Sequence, residues 1–340
     1  MAYKINPALF NRVIGELSKT YKVYAPSLLE GWGTFSDTDI IGYGEVSSGE
    51  RIVFDKKSMY SFKETILPIS QTLFYFTDDE MREPKPVYEK AVVFLRNCDL
   101  RGLERLDDIY RGGAPNGGKP DFYYERLRGR AKFIVMGCDG GFDSCFCESM
   151  GTNIPAAYDA YILPLNGEFI LDSRFDELGD ILSALGAEKI EFQPKEITNT
   201  LKVELPQAIP EEIVNSPIWE EYDTRCIACG RCNFVCPTCA CFTTQDIFYG
   251  DNKNAGERRR VWASCHVDGY TDIAGGISFR KNKGERTRFK TLHKISDHKK
   301  RYGRNMCVGC GRCDDVCPEY ISFVSCIGKV LNACKEARNG

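Results

Sequence analysis

Histidine is nearly absent from this 340-residue chain, which carries only His266, His293 and His298. So few leave little from which to build a nucleophile–base or acid–base pair, and no such constellation is legible. A complete dinucleotide fingerprint is missing too. Gly31-Trp-Gly33-Thr-Phe-Ser36 and Gly42-Tyr-Gly44-Glu-Val-Ser47 lack the third glycine of the pyrophosphate-binding loop. Gly113-Ala-Pro-Asn-Gly-Gly118-Lys119 imitates a phosphate loop, but Pro120 stands where Ser or Thr would hold magnesium. No flavin or NAD is therefore expected on this chain. No run approaches the ~20 apolar residues that span a bilayer. Residues 1–13 are polar and broken by Asn6 and Pro7, with no apolar signal core. A membrane is not expected as a partner, and a reducing cytosol is the expected location.

Cysteine is the opposite case, with seventeen residues. In a reducing compartment clustered thiols point to metal or catalysis rather than to disulfides. Eight of them form two matching runs. Cys226-Ile-Ala-Cys229-Gly-Arg-Cys232-Asn-Phe-Val-Cys236-Pro237 is repeated as Cys307-Val-Gly-Cys310-Gly-Arg-Cys313-Asp-Asp-Val-Cys317-Pro318. Each has the spacing of a bacterial ferredoxin, in which three thiolates of a run hold one [4Fe–4S] cube and the fourth serves the other cube. Crossed ligation follows: Cys226, Cys229, Cys232 and Cys317 at one cluster, Cys307, Cys310, Cys313 and Cys236 at the other. Gly230 and Gly311 are expected to let the backbone approach the inorganic core. Zinc ribbons need only four ligands per site and fit two full runs with terminal proline poorly.

The first 200 residues read as an α/β domain. Pro7 opens a helix with Phe10, Val13, Ile14 and Leu17 on one face. Ala91-Val-Val-Phe-Leu95 and Phe133-Ile-Val-Met136 have the pattern of strands buried on both sides. Asn166-Gly167 predicts a hairpin turn, and 176–185 predicts a helix closed by Gly186. The proline-punctuated stretch 194–217 reads as an interdomain connector. Residues 201–340 are expected to form a helical ferredoxin-like domain with two crossed [4Fe–4S] sites. Seventy residues separate Cys236 from Cys307, too many for the turn of a compact two-hairpin ferredoxin. Within them lies a basic insertion, 252–304, with fifteen Lys and Arg against five Asp and Glu, in a chain whose net charge is −3. Charge compensation near the clusters, a surface for an acidic redox partner and a nucleic-acid patch all fit such a segment, the last least well.

Four more cysteines suggest a third site. Cys98 and Cys138 each follow a buried strand, and if those strands are parallel both thiols emerge at the carboxyl edge of the sheet. Gly140-Gly141 and Cys145-Phe-Cys147 form a loop that could bring two more thiolates over that edge. Cys98, Cys138, Cys145 and Cys147 are therefore expected to hold a third [4Fe–4S]. Cys239, Cys241 and Cys265 could make a rival ligand set, which would need His266 as its fourth member, or could pack beside the clusters. Cys326 and Cys334 are expected to be structural, and His293 and His298 to be surface or capping residues.

With Asn97-Cys98-Asp-Leu100, Gly137-Cys138-Asp139, Cys145-Phe-Cys147, Cys236-Pro-Thr-Cys-Ala-Cys241, Trp262-Ala-Ser-Cys265, His293-Lys294 and the two runs, the chain resembles the iron–sulfur subunit of the anaerobic sulfite reductases. It is also similar to the iron–sulfur β subunits of cytosolic sulfhydrogenases. The resemblance implies a non-catalytic electron-transfer subunit. Its implied partners are a flavoprotein subunit fed by NAD(P)H and a sirohaem catalytic subunit that reduces sulfite to sulfide.

Overall fold

A computed structural model describes residues 1–33, 35, 37–85, 89–113, 117–251 and 253–339. Parts of the glycine-containing stretches 31–36 and 113–119, and the first residue of the basic insertion, lie outside the described residues. Short apolar runs alternating with amphipathic helices give the first half a mixed α/β fold. β1 (Ala2–Ile5) leads into α1 (Pro7–Leu17), where Asn6 accepts from the Leu9 amide at 2.8 Å and Pro7 starts the first turn. Then come β2 (Tyr21–Leu29), β3 (Ile40–Glu45), β4 (Ser70–Thr77), β5 (Met81–Arg82) and β6 (Lys90–Arg96). After them the chain forms α2 (Asn97–Tyr110), α3 (Phe122–Gly129), β7 (Ala131–Met136), β8 (Ala160–Leu165), β9 (Glu168–Ser173), α4 (Asp176–Ala184) and β10 (Glu188–Ile190).

Eight strands form one sheet in the order β10-β1-β9-β8-β7-β6-β2-β3. Its centre, β2, β6, β7 and β8, is parallel, and the strands flanking it pair antiparallel. The central strands are apolar without alternation because both faces are covered. Val92, Phe94, Ile134 and Met136 pack under α1 and α4 with Phe10, Val13, Ile14, Leu178 and Leu182. Val93, Leu95, Phe133 and Val135 pack under α2 and α3 with Leu100, Leu103, Leu106 and Tyr124. Burying such side chains stabilises by roughly 1.5–3 kcal/mol each, so the sheet is a rigid base for whatever its edge presents. The β8–β9 turn is made by Asn166 and Gly167, at φ 53° and 79°, the left-handed pair that a two-residue hairpin loop requires.

The second half contains α5 (Glu221–Arg225), α6 (Arg231–Phe234), β11 (Phe242–Phe248), β12 (Ala255–Trp262), β13 (Asp272–Ile273) and β14 (Ile277–Ser278). It ends with α7 (Lys283–Leu292), a π-helical turn His293–Asp297, α8 (His298–Tyr302), α9 (Arg312–Asp315) and α10 (Phe323–Asn339). This corrects the expectation of a purely helical second domain. β11 and β12 form an antiparallel hairpin, and β12 pairs in turn with β4 of the first half. The Phe-Thr-Thr-Gln-Asp-Ile-Phe of β11 is β-branched and aromatic, a composition suited to a pleated, half-exposed surface.

The stretch 194–217 is also less loose than a linker. Ile197 and Ile213 are buried, and Leu201, Val203, Leu205 and Ile209 pack against a core of Trp219, Tyr222, Ile295, Ile327 and Val330. Phe146 and Met150, from the first half, belong to that same core. Among the described residues no helix is long and apolar enough to cross a membrane.

Candidate iron–sulfur sites

The twelve cysteines singled out by spacing and strand position line three adjoining cavities. The first is lined by Cys226, Cys229, Cys232 and Cys317, together with Cys313, Cys326 and His266. The second is lined by Cys236, Cys307, Cys310 and Cys313, together with Cys232. Cys232 and Cys313 stand on the wall between the two, with Lys290 and Phe323. In each run an amide points at the leading sulfur with the same geometry: Ala228 N–H to Cys226 Sγ and Gly309 N–H to Cys307 Sγ, both at 3.4 Å. Both donors come from left-handed residues, at φ 57° and 65°.

The third cavity is lined by Cys98, Cys138, Cys145 and Cys147. β6 and β7 are adjacent and parallel, with Arg96 opposite Met136. Cys98 and Cys138 each lie two residues beyond those strand ends, so the carboxyl edge of the sheet presents both thiols. Lys57, Arg96 and Arg312 line the same cavity. Arg96 donates to Cys138 Sγ at 3.7 Å and to the Gly137 carbonyl at 3.2 Å. Asn199, from the 194–217 stretch, accepts from the Cys147 thiol at 3.2 Å and the Glu148 amide at 2.9 Å. Arg312 is paired with Asp99 and Lys57 with Asp315, while Arg96 turns to the Cys138 sulfur, a charge that suits an anionic guest.

The three cavities form a row. Between the second and third lies one layer of backbone, crossed by Phe146 N–H to the Gly309 carbonyl at 2.8 Å and by the Cys145 thiol to the Cys310 carbonyl at 3.6 Å. A side chain at Gly309 or Gly311 would strike the backbone of Phe146 or Ser144. Gly311 admits the 144–147 loop, and Gly230 faces Ser264 and Val267.

These residues fit iron–sulfur groups on several counts. Burial pushes the Cys147 and Cys307 thiols up to about 12 and Cys310 to about 11. Alone they would stay protonated at neutral pH, whereas a bound cationic metal makes a coordinating thiol a thiolate. One orphaned polar atom points the same way: His266, on the wall of the first cavity, has a buried Nε2 without a partner among the described residues. Among the described residues no three of His, Cys, Asp or Glu converge to hold a single metal ion.

Several residues sit elsewhere than expected. His266 does not join Cys239, Cys241 and Cys265; its Nδ1 lies 4.0 Å from Cys226 Sγ instead. Those three thiols line none of the three cavities. Cys265 accepts from Asn233 at 3.1 Å, and Cys241 hydrogen-bonds to Cys265 and Tyr270. Cys326, though packed in the core as expected, meets the Tyr222 hydroxyl at 3.0 Å and edges the first cavity. His298 is buried rather than on the surface, with Nδ1 2.9 Å from the Arg304 carbonyl.

The basic insertion is largely consumed within the fold. Arg258 pairs with Asp246 at 2.6 Å and Arg260 with Asp121 at 2.7 Å, while Arg286 pairs with Asp268 and Arg304 with Asp108. Lys290 and Lys294 turn inward to the cavities, and only a remainder such as Lys299, Lys300 and Arg301 stays exposed. Spacing could not reveal Lys57 and Asn199, which come from segments distant from these cysteines, nor that Arg96, beside Cys98, and Arg312, inside the second run, turn to the third cavity.

Comparison with known proteins adds to this geometry. Residues 225–321 match the 4Fe-4S dicluster domain family, a stretch that contains both cysteine runs and leaves the third cavity's cysteines outside it. Over 346 aligned residues the chain is 28% identical to sulfhydrogenase 2 subunit beta of Pyrococcus furiosus, covering 97% of this chain and 96% of that one. No solved structure matches. This mixed α/β chain carries a C-terminal 4Fe–4S dicluster domain and is similar, over nearly its whole length, to a sulfhydrogenase β subunit.

Proposed function

We propose that the chain is the electron-transfer iron–sulfur component of a cytosolic sulfite reductase complex. In that complex it stands between a flavoprotein subunit fed by NAD(P)H and a sirohaem subunit that reduces sulfite to sulfide. The observation that carries the electron-transfer reading is the succession of three cysteine-lined cavities, the first two sharing a wall and the third one layer of backbone away. In this proposal Cys226, Cys229, Cys232 and Cys317 hold one [4Fe–4S], and Cys307, Cys310, Cys313 and Cys236 hold a second. Cys98, Cys138, Cys145 and Cys147 hold a third. Such groups supply one-electron redox chemistry, with potentials set by charge, hydrogen bonding and exposure. The chain's own residues orient the sulfurs through the Ala228, Gly309 and Asn199 contacts, and the core around Phe146 and Phe323 keeps water from the middle cavity.

The sulfite end of the proposal rests on the sequence resemblance. The equivalent subunit of a sulfhydrogenase is the second reading, favoured by the full-length likeness to sulfhydrogenase 2 subunit beta. Anaerobic purification of the intact complex separates the two. Co-purifying sirohaem and sulfite-dependent oxidation of NAD(P)H support the first, while a nickel-bearing partner with hydrogen-dependent reduction overturns it for the second.

Two further outcomes are expected. The isolated chain, reconstituted without oxygen, binds no flavin and does not oxidise NADH or NADPH, because no complete glycine fingerprint is present. Adding the flavoprotein subunit then allows nicotinamide-driven bleaching of the cluster absorbance. A stoichiometric yellow flavin that survives gel filtration would contradict this. The crossed ligation is tested by pairs of substitutions. Cys226→Ser with Cys317→Ser is expected to cost one cluster, and Cys226→Ser with Cys236→Ser two, by EPR spin count. The reverse pattern, two clusters lost with the first pair and one with the second, would mean that the fourth cysteines are not exchanged.

A further inference from the structure

We propose that Lys290 and Lys294, four residues apart, form an inward-facing cation pair that raises the reduction potentials of the two groups held by the cysteine runs, Lys290 acting on both and Lys294 on one. The inference rests on the iron–sulfur reading of those cavities. Lys290 lines both the first and the second cavity, on the wall it shares with Cys232 and Cys313. Its ammonium lies 5.4 Å from the centre of the Phe323 ring, another residue common to both. Lys294 is 3% exposed and lines the second cavity alone. It donates to Thr238 Oγ1 at 2.6 Å, just beyond Cys236.

What faces these ammonium groups is sulfur. Lys290 shares its wall with Cys232 and Cys313, and Lys294 lines the cavity that also holds Cys236 and Cys307. A cation buried without a partner is costly, so two lysines turned inward at cysteine-lined cavities suit an anionic occupant. A cube ligated by four thiolates is anionic, and one-electron reduction adds a further negative charge. A fixed cation beside it therefore favours the reduced state and moves the potential upward, since net charge and hydrogen bonds near the sulfurs are what tune such centres. Other cations stand nearby: Lys63 Nζ donates to the Cys239 carbonyl at 3.0 Å, Arg312 is held by Asp99, Lys57 and Arg96 line the third cavity, and Arg231 lines the first.

The test is an EPR-monitored redox titration of the reconstituted full-length chain. Lys290→Met is expected to lower two midpoint potentials and Lys294→Met one. Each shift should reduce the ratio of reduced to oxidised centre at least tenfold at a fixed potential, which is about 59 mV for one electron. Lys290→Arg keeps the charge and should restore both values, which a merely space-filling role would not predict. Full iron content with unmoved potentials in the Met variants overturns the proposal. If a Met variant loses iron, the Arg variant decides: parental iron and potentials support the cation role, and lowered potentials overturn it. A parent chain that takes up no iron defeats the cluster reading instead, and the two failures are distinguishable.

Discussion

Replacing Arg312 with Met is expected to cost about 3–5 kcal/mol of stability, the usual consequence of leaving a buried charge without its partner. Arg312 is 1% exposed and Asp99 0%. The guanidinium grips the carboxylate in a fork, Nη1 to Oδ1 at 2.7 Å and Nη2 to Oδ2 at 2.9 Å. Its Nε donates to the Ser58 carbonyl at 2.9 Å, and Nη2 also reaches Ser58 Oγ at 3.1 Å. One side chain of the second cysteine run thus satisfies two segments of the α/β half, one of which, α2, carries Cys98. Lysine cannot reproduce the fork. A lower urea midpoint, followed anaerobically by tryptophan fluorescence, measures the loss. Asp99→Leu combined with Arg312→Met should recover much of it, because an apolar pair leaves no orphaned carboxylate. A single variant as stable as the parent would show that the pair does not join the halves.

Changing Cys98 and Cys138 together to Ala is expected to remove ~4 of ~12 iron atoms per chain and leave the two ferredoxin-type signals in place. The expectation follows from the shared wall: both thiols stand at the ends of adjacent parallel strands and face Cys145 and Cys147. The backbone around them should survive, because Val92–Leu95 and Phe133–Met136 are held by packing below the edge. Gly140 and Gly141 would lose the restraint that a bound group places on their loop, so proteolysis there should accelerate. An iron count unchanged from the parent would return these four cysteines to a packing role. The electron path would then be confined to the C-terminal part.

The layout of the α/β half was legible because its signals are local. The face of α1, the buried runs of β6 and β7, the Asn166-Gly167 turn and the Leu178–Leu182 face of α4 all reflect periodicity and turn chemistry within a few residues. The β11–β12 hairpin was missed. Its strands are polar enough to pass for a solvated insertion, and its partner β4 lies nearly 180 residues away. The count of basic residues also misled, because a charge run looks the same on paper whether its members meet solvent, carboxylates or thiols.

By itself the sequence determined which atoms can hold metal: cysteine spacing is a property of the chain, and thiolate chemistry belongs to the residue. Tertiary structure decided what surrounds those atoms. The two copies of Cys-Gly-Arg-Cys show the difference. Arg231 is exposed to solvent, while Arg312, at the same place in the repeat, is buried against Asp99 on the wall of the third cavity. Likewise Ala228 is tolerated where Gly309 is required, since only the second run has the 144–147 loop packed against its backbone. A motif repeats its bonding capacity along the chain, but the dielectric, the counter-charge and the free space at each copy come from segments one to two hundred residues away, and only folding brings those together.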